Sequence, residues 1–182
     1  MPASNVIDVR LTDLRQFFNS LDPSPFHEKD LDRDAEEYIV GWADELPDVA
    51  SWELVIRVPE DQLGLAQKSD VAGAVHNYFA YRAKENTRRI RLQLREGRSA
   101  LAIGLAFLVS CMLLRQFASS FGDAPIRQIL QEGLLILGWV AMWRPLQIFL
   151  YDWWPVRHFG RLYRKLATVP VRVLGSKESL SK

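Results

Sequence analysis

Between Arg98 and Arg115 the chain runs sixteen residues without a charge, SALAIGLAFLVSCMLL. A second apolar stretch, ILQEGLLILGWVAMWRPLQIFLY, follows from Ile129 to Tyr151. Sixteen residues fall short of the ~20 that cross a hydrocarbon layer. A helix can nevertheless continue through Gln116, Phe117 and Ala118 while Arg115 extends its stem toward the headgroups. The second stretch would be about 35 Å long as a helix, sufficient for a tilted span. One such stretch could be a buried core helix. Two in succession, joined by ASSFGDAPIRQ, predict a transmembrane hairpin, with spans at 99–121 and 129–152 and an external loop at 122–128.

The flanks set an orientation. Before the first span come Arg82, Lys84, Arg88, Arg89, Arg91, Arg95 and Arg98, and after the second come Arg157, Arg161, Arg164, Lys165 and Arg172. The connecting loop offers Arg127, with Arg115 at its edge. Cationic flanks mark the cytoplasmic side, so both termini are expected inside. The start, MPASNVIDVR, lacks the basic-then-apolar order of a signal peptide. The formal net charge of +1 conceals a segregation of signs. Ten acidic and two basic residues lie between Asp22 and Asp48, against seven basic and two acidic between Arg82 and Arg98. Beside a membrane span the basic run is better matched to anionic headgroups than to nucleic acid. Cys111, the single cysteine, excludes an intrachain disulfide and reads as a small buried residue.

The string WRPLQIFLYDWWP at 143–155 closes the second span. Trp143, Tyr151, Trp153 and Trp154 have the amphipathic rings that favour the headgroup layer, and Pro155 marks an exit. Pro145 deprives one upstream carbonyl of its helical partner. Arg144 either reaches the interface or turns inward to serve that carbonyl. With Arg157 and Arg161 in the basic segment VRHFGRLYRKL, these residues form the expected anchoring set for lipid or partner contact. Helical rise puts Arg115 and Glu132 at similar depth, where an ion pair would ease the burial of both. Ala100 and Gly104 on the first helix, and Gly133 and Gly138 on the second, allow close packing.

The rest reads as a small α/β domain at 1–68, followed by an amphipathic basic linker helix at 69–98. VIDVRL (6–11) and WELVIRV (52–58) alternate as half-buried strands, and VPVRVL (169–174) supplies a third within the cytosolic segment 153–182. Thr12 is expected to cap a short helix whose stripe is Leu14, Phe17, Phe18 and Leu21. A second helix at about 32–46 carries Ala35, Tyr38, Ile39, Trp42, Ala43 and Leu46 at helical spacing, with acids filling the opposite face. A strand, helices and a strand imply a βαβ start with a parallel pair. The expected class is therefore an α+β membrane protein, its small cytosolic α/β domain joined by a long helix to a two-helix hairpin.

HEKDLDRD gathers His27, Asp30 and Asp32 as weak metal candidates. The EF-hand spacing fails, because Ala35 and Gly41 stand where glycine and glutamate are needed. Carboxylates at a helix start are explained by capping. Asp34, Glu36, Glu37, Asp44 and Glu45 form an acidic face that could meet a basic partner. No phosphate loop, nucleophile elbow or CxxC motif occurs, so no catalytic residue and no cofactor are expected.

NSLDPSPFHEKDLD, EEYIVGWA, HNYFAYRA and GWVAMWRPLQIFLYDWWP together resemble a family of uncharacterised bacterial two-pass inner-membrane proteins. The resemblance implies an inner-membrane setting and supplies no activity. The expectation is a non-enzymatic accessory, assembly or scaffold subunit, in a homo-oligomer or a larger complex. The alternative is a membrane-anchored sensor or enzyme with a site near His27, Asp30 and Asp32.

Overall fold

The computed structural model describes residues 5–23, 29–47, 51–118 and 125–176, with backbone alone for 118 and 125–127. It is an α+β protein with a three-stranded parallel sheet and two long apolar helices. The chain divides into two compact units, Met1–Glu85 with Phe159–Lys182, and Asn86–His158.

In the first unit, β1 (Val6–Arg10), β2 (Glu53–Val58) and β3 (Val171–Gly175) lie in the order β1-β2-β3, all parallel. Register pairs Ile7 with Leu54 and Val9 with Ile56, and sets Val171 beside Leu54 and Val173 beside Ile56. These residues share one sheet face, as the period of two requires. That face packs on Ile39, Val40 and Ala43 of α1 (Arg33–Glu45), on Val71, Val75 and Phe79, and on Leu162 and Leu166. The opposite face is held by charge. Asp8 takes Arg57 Nε at 3.0 Å, Glu53 pairs with Arg172, and Val55 is buried between its cross-strand neighbours Asp8 and Arg172.

The expected capped helix after Thr12 is a single 3₁₀ turn, Leu14–Phe17. Its cap is Asp13, whose Oδ1 accepts from Arg15 N, while Thr12 hydrogen-bonds Gln16. Leu14, Phe17 and Phe18 are buried as expected, but Leu21 is 89% exposed. Phe18 leaves the turn for an antiparallel bridge with Leu31, so the stripe ends before Leu21. After β2, α2 (Glu60–Lys68) precedes α3 (Val71–Ala118). Asp70, at φ 44°, breaks the two apart, and its Oδ1 accepts from Gly73 N at the start of α3. An aspartate tolerates this left-handed conformation better than most residues because its short polar chain bonds locally.

The second unit is built from α3 beyond Glu85 and a returning arm. This arm comprises α4 (Pro125–Ala141), α5 (Trp143–Gln147), a π-helical turn at Ile148–Asp152 and the start of α6 (Trp153–Leu166). Both helical runs are long and apolar enough to cross a membrane. Just 11% of the most apolar window of the first, and 17% of the second, is buried within the fold. Core helices bury such windows. These expose Ile103, Phe107, Met112, Phe117, Ile136, Trp139 and Val140.

Candidate functional site

Two constellations stand out, one in each unit. The first grows from the buried side of α1. Glu36 lies three, four and seven residues before Ile39, Val40 and Ala43, which places it on their face. Arg82 follows Tyr78 and Phe79 on α3 by the same spacing. The two meet: Arg82 Nε donates to Glu36 Oε1 at 2.7 Å and Nη2 approaches the same oxygen at 2.6 Å. Tyr78 Oη donates to Glu36 Oε2 at 2.7 Å, Arg82 Nη1 to Glu85 at 3.1 Å and Arg82 Nη2 to Tyr163 Oη at 3.4 Å. The guanidinium carbon sits 5.4 Å from the Tyr163 ring centroid, and that ring stacks on Phe79.

All of these groups precede or follow the apolar segments, and their titration reflects the packing. Burial opposes the charge on Arg82, but the Glu36 hydrogen bond and charge outweigh it and hold the guanidinium above its ordinary pKa. Burial, then the bond to Glu36, pushes the Tyr78 phenol up. Burial also raises Tyr163, against the pull of Arg82. With both Glu36 oxygens occupied by donors, the arrangement is a clamp between α1, α3 and α6.

This corrects the expected acidic face. Glu36 is withdrawn from it, its side chain 12% exposed. Asp34, Glu37, Asp44 and Glu45 remain exposed, Glu37 with Arg33 Nε at 2.9 Å. Asp34 borders a 910 Å³ groove along β1 with Asp8, Arg10, Tyr38 and Trp42, while Glu37 and Asp44 border a second of 570 Å³.

The metal candidates are differently engaged. Asp32 is the N-cap of α1, its Oδ1 accepting from Asp34 N at 3.0 Å. Burial first, then the neighbouring Asp22 charge, raises the Asp30 carboxyl against the pull of Arg82. His27 lies outside the described residues. Among the described residues no three His, Cys, Asp or Glu side chains converge on a common point.

The second constellation is the seam of the helical hairpin. Asn86 Nδ2 donates to Val156 O at 2.7 Å, Gly97 abuts Ile148, Gly104 abuts Ala141, Leu108 abuts Gly138, and Gln131 Nε2 donates to Arg115 O at 3.5 Å. These contacts define one antiparallel register. Gly104 and Gly138 pack across the seam as expected, whereas nothing lies near Gly133. Arg115 and Glu132 do lie level, but they form no ion pair. Glu132 accepts from Gln128 one turn away, at 3.3 Å, because adjacent exposed groups on one helix meet without crossing the seam.

The proline in WRPLQ explains Gly104. Pro145 has no N–H for the carbonyl of Ala141. That oxygen turns toward α3, where a Cβ on residue 104 would stand 2.9 Å from it. Arg144 does not serve it. Its guanidinium reaches Asp152 at 3.5 Å and is mostly exposed. Within the π turn, Trp153 Nε1 donates to the Phe149 carbonyl at 2.7 Å, and Arg157 lies 5.4 Å from the Trp153 ring centroid. Trp143, Tyr151 and Trp154 project outward, and Arg161 is exposed on α6. Sequence reasoning missed the Glu36–Arg82 clamp, although the helical spacing of both residues carried the signal. Comparisons with protein-family models, curated proteins and solved structures found no match.

Proposed function

We propose that this chain is a non-enzymatic integral membrane protein, an accessory or scaffold subunit that presents a small α/β domain to the cytoplasm. The observation that supports the reading best is the hairpin surface. Its helices meet through a narrow seam of small residues and leave most of their apolar side chains outward, which water does not tolerate over so large an area. In this reading both helical runs span a bacterial inner membrane, with both termini inside as the basic flanks require. Asp34, Glu37, Asp44 and Glu45 then face a basic protein partner, either in a larger complex or in another copy of the chain. Their supports are exposure, common sign and the adjoining grooves.

Topology is tested with cysteines introduced at Ser120 or Ser179 in a Cys111→Ala background. The expected result is a carbonate-resistant membrane protein whose cysteine at 120 reacts with an impermeant thiol reagent in intact cells, while that at 179 does not. Extraction by carbonate or the reverse labelling pattern overturns the model. Affinity capture under gentle detergent, with and without charge reversal at Glu37, Asp44 and Glu45, tests the partner face. A complex unchanged by that reversal removes the acidic surface from the proposal.

A further inference from the structure

We propose that the aromatic segment 143–157 and the α3 turns at 88–98 form one cationic collar that binds anionic phospholipid headgroups. The hydrocarbon passage of the hairpin then ends at Arg98 and Arg144, not at Asp152. This inference rests on the membrane reading above and concerns where the passage ends and which lipid it selects.

The argument starts from the register. The contacts Gly97–Ile148 and Asn86–Val156 bracket residues 87–96 on α3 and 149–155 on the other arm. Arg88, Arg91 and Arg95, all exposed and spaced along one stripe of α3, are therefore level with Tyr151, Asp152, Trp153 and Trp154. Arg98 is one residue beyond the bracket and Arg144 one turn beyond. A length of chain cannot sit in hydrocarbon on one arm while its neighbours on the other carry a row of guanidinium groups. Between Arg98 and Arg115 the rise is about 26 Å, close to a hydrocarbon layer once both side chains extend outward.

The local structure fits a headgroup layer. The π turn and Pro145 irregularity lie here, with the Phe149 carbonyl taken by the Trp153 indole. Trp143, Tyr151 and Trp154 are each more than 60% exposed at this level. The segments 86–98 and 143–158 carry seven arginines, Arg88, Arg89, Arg91, Arg95, Arg98, Arg144 and Arg157, against Glu96 and Asp152. That excess of positive charge, flanked by amphipathic rings, complements phosphodiester anions.

The full chain is reconstituted in phosphatidylcholine vesicles containing a minority of phosphatidylglycerol. Nitroxide labels are placed at Trp139→Cys or Tyr151→Cys in the Cys111→Ala background. The label at 139 should be accessible to oxygen and shielded from a water-soluble nickel chelate, and the label at 151 accessible to the chelate. Both labels shielded overturns the collar and leaves the membrane reading standing. Both labels open to the chelate overturns the membrane reading itself. Spin-labelled phosphatidylglycerol should be immobilised several-fold more than spin-labelled phosphatidylcholine. Arg91→Gln, Arg95→Gln, Arg98→Gln and Arg157→Gln together should bring the ratio near one. Equal immobilisation of both lipids by the unaltered protein overturns the anionic preference.

Discussion

Arg82 and Glu36 stand 46 positions apart in sequence, and the guanidinium grips one carboxylate oxygen through Nε and Nη2 at 2.7 and 2.6 Å. Tyr78 closes the other oxygen. Both charges are largely withdrawn from water, so deleting either strands the other in a poor solvent. Arg82→Gln or Glu36→Gln should each cost about 2–4 kcal/mol of stability, and the double substitution less than the two together, with a coupling of about 1–3 kcal/mol. Arg82→Lys should recover part of the loss, because an ammonium keeps the charge but not the planar fork. Denaturant titration of the purified protein in detergent reads all four. A coupling near zero would mean the pair is incidental to the fold.

Asp30 and Asp32 should respond in opposite ways. Asp32→Ala removes the cap of α1 and should destabilise by about 0.5–2 kcal/mol. Asp30 carries a raised pKa, so the folded state binds its proton more tightly than the unfolded chain does. Its charge at neutral pH therefore opposes folding, and the opposition fades as pH falls through the folded pKa toward the unfolded value. Asp30→Asn should leave the thermal midpoint at pH 7 unchanged or raise it, with the difference shrinking near pH 4. A lower midpoint for Asp30→Asn at pH 7, restored by added divalent cation, would favour the metal alternative instead.

The glycines of the hairpin should separate by what each would strike. A methyl at Gly104 meets the backbone oxygen of Ala141, which cannot move without shifting the arm, so Gly104→Ala should cost about 1–3 kcal/mol. Gly138→Ala strikes the end of the Leu108 side chain, which can rotate, and should cost less. Gly133→Ala meets nothing and should be neutral or stabilising by up to about 1 kcal/mol through helix propensity. Thermal unfolding in one detergent at one protein concentration orders the three. Equal effects would mean the seam does not hold the helices at this distance.

Local pattern made the sheet legible. Alternation in VIDVRL, WELVIRV and VPVRVL anticipated all three strands to within two residues at each end, because a period of two with one apolar face leaves little choice of register. The α1 stripe was legible only in part: Ile39 and Ala43 are buried, whereas Tyr38 and Trp42, at the same helical spacing, are 45% and 46% exposed on the groove beside β1. What escaped was pairing over distance. Glu36 looked like one more acid on a solvated face, and its burial depends on Arg82 arriving from another helix. The Arg115–Glu132 expectation had the depth right and the partner wrong, since rise per residue sets level but not azimuth. In the aromatic segment the sequence pointed to a helix end at Pro155, whereas the structure continues through a π turn at Ile148–Asp152 into α6 (Trp153–Leu166).

Trp153 and Trp154 are neighbours of one type that do different work. The Trp153 indole donates to the Phe149 carbonyl at 2.7 Å within the π turn and its ring lies under Arg157, while Trp154 is 66% exposed. Trp153→Phe keeps a ring for the guanidinium but leaves that carbonyl without its indole donor. The expected loss is about 0.5–1.5 kcal/mol, the net worth of one part-buried hydrogen bond. Trp154→Phe removes no described hydrogen bond and should leave folding stability within about 0.5 kcal/mol, while weakening attachment at the headgroup layer. Unfolding in detergent measures the first effect. Retention of the Trp154→Phe protein in vesicles under rising salt measures the second. If both substitutions destabilise equally, the tryptophans act together as a general anchor and the π turn does not depend on the indole of Trp153.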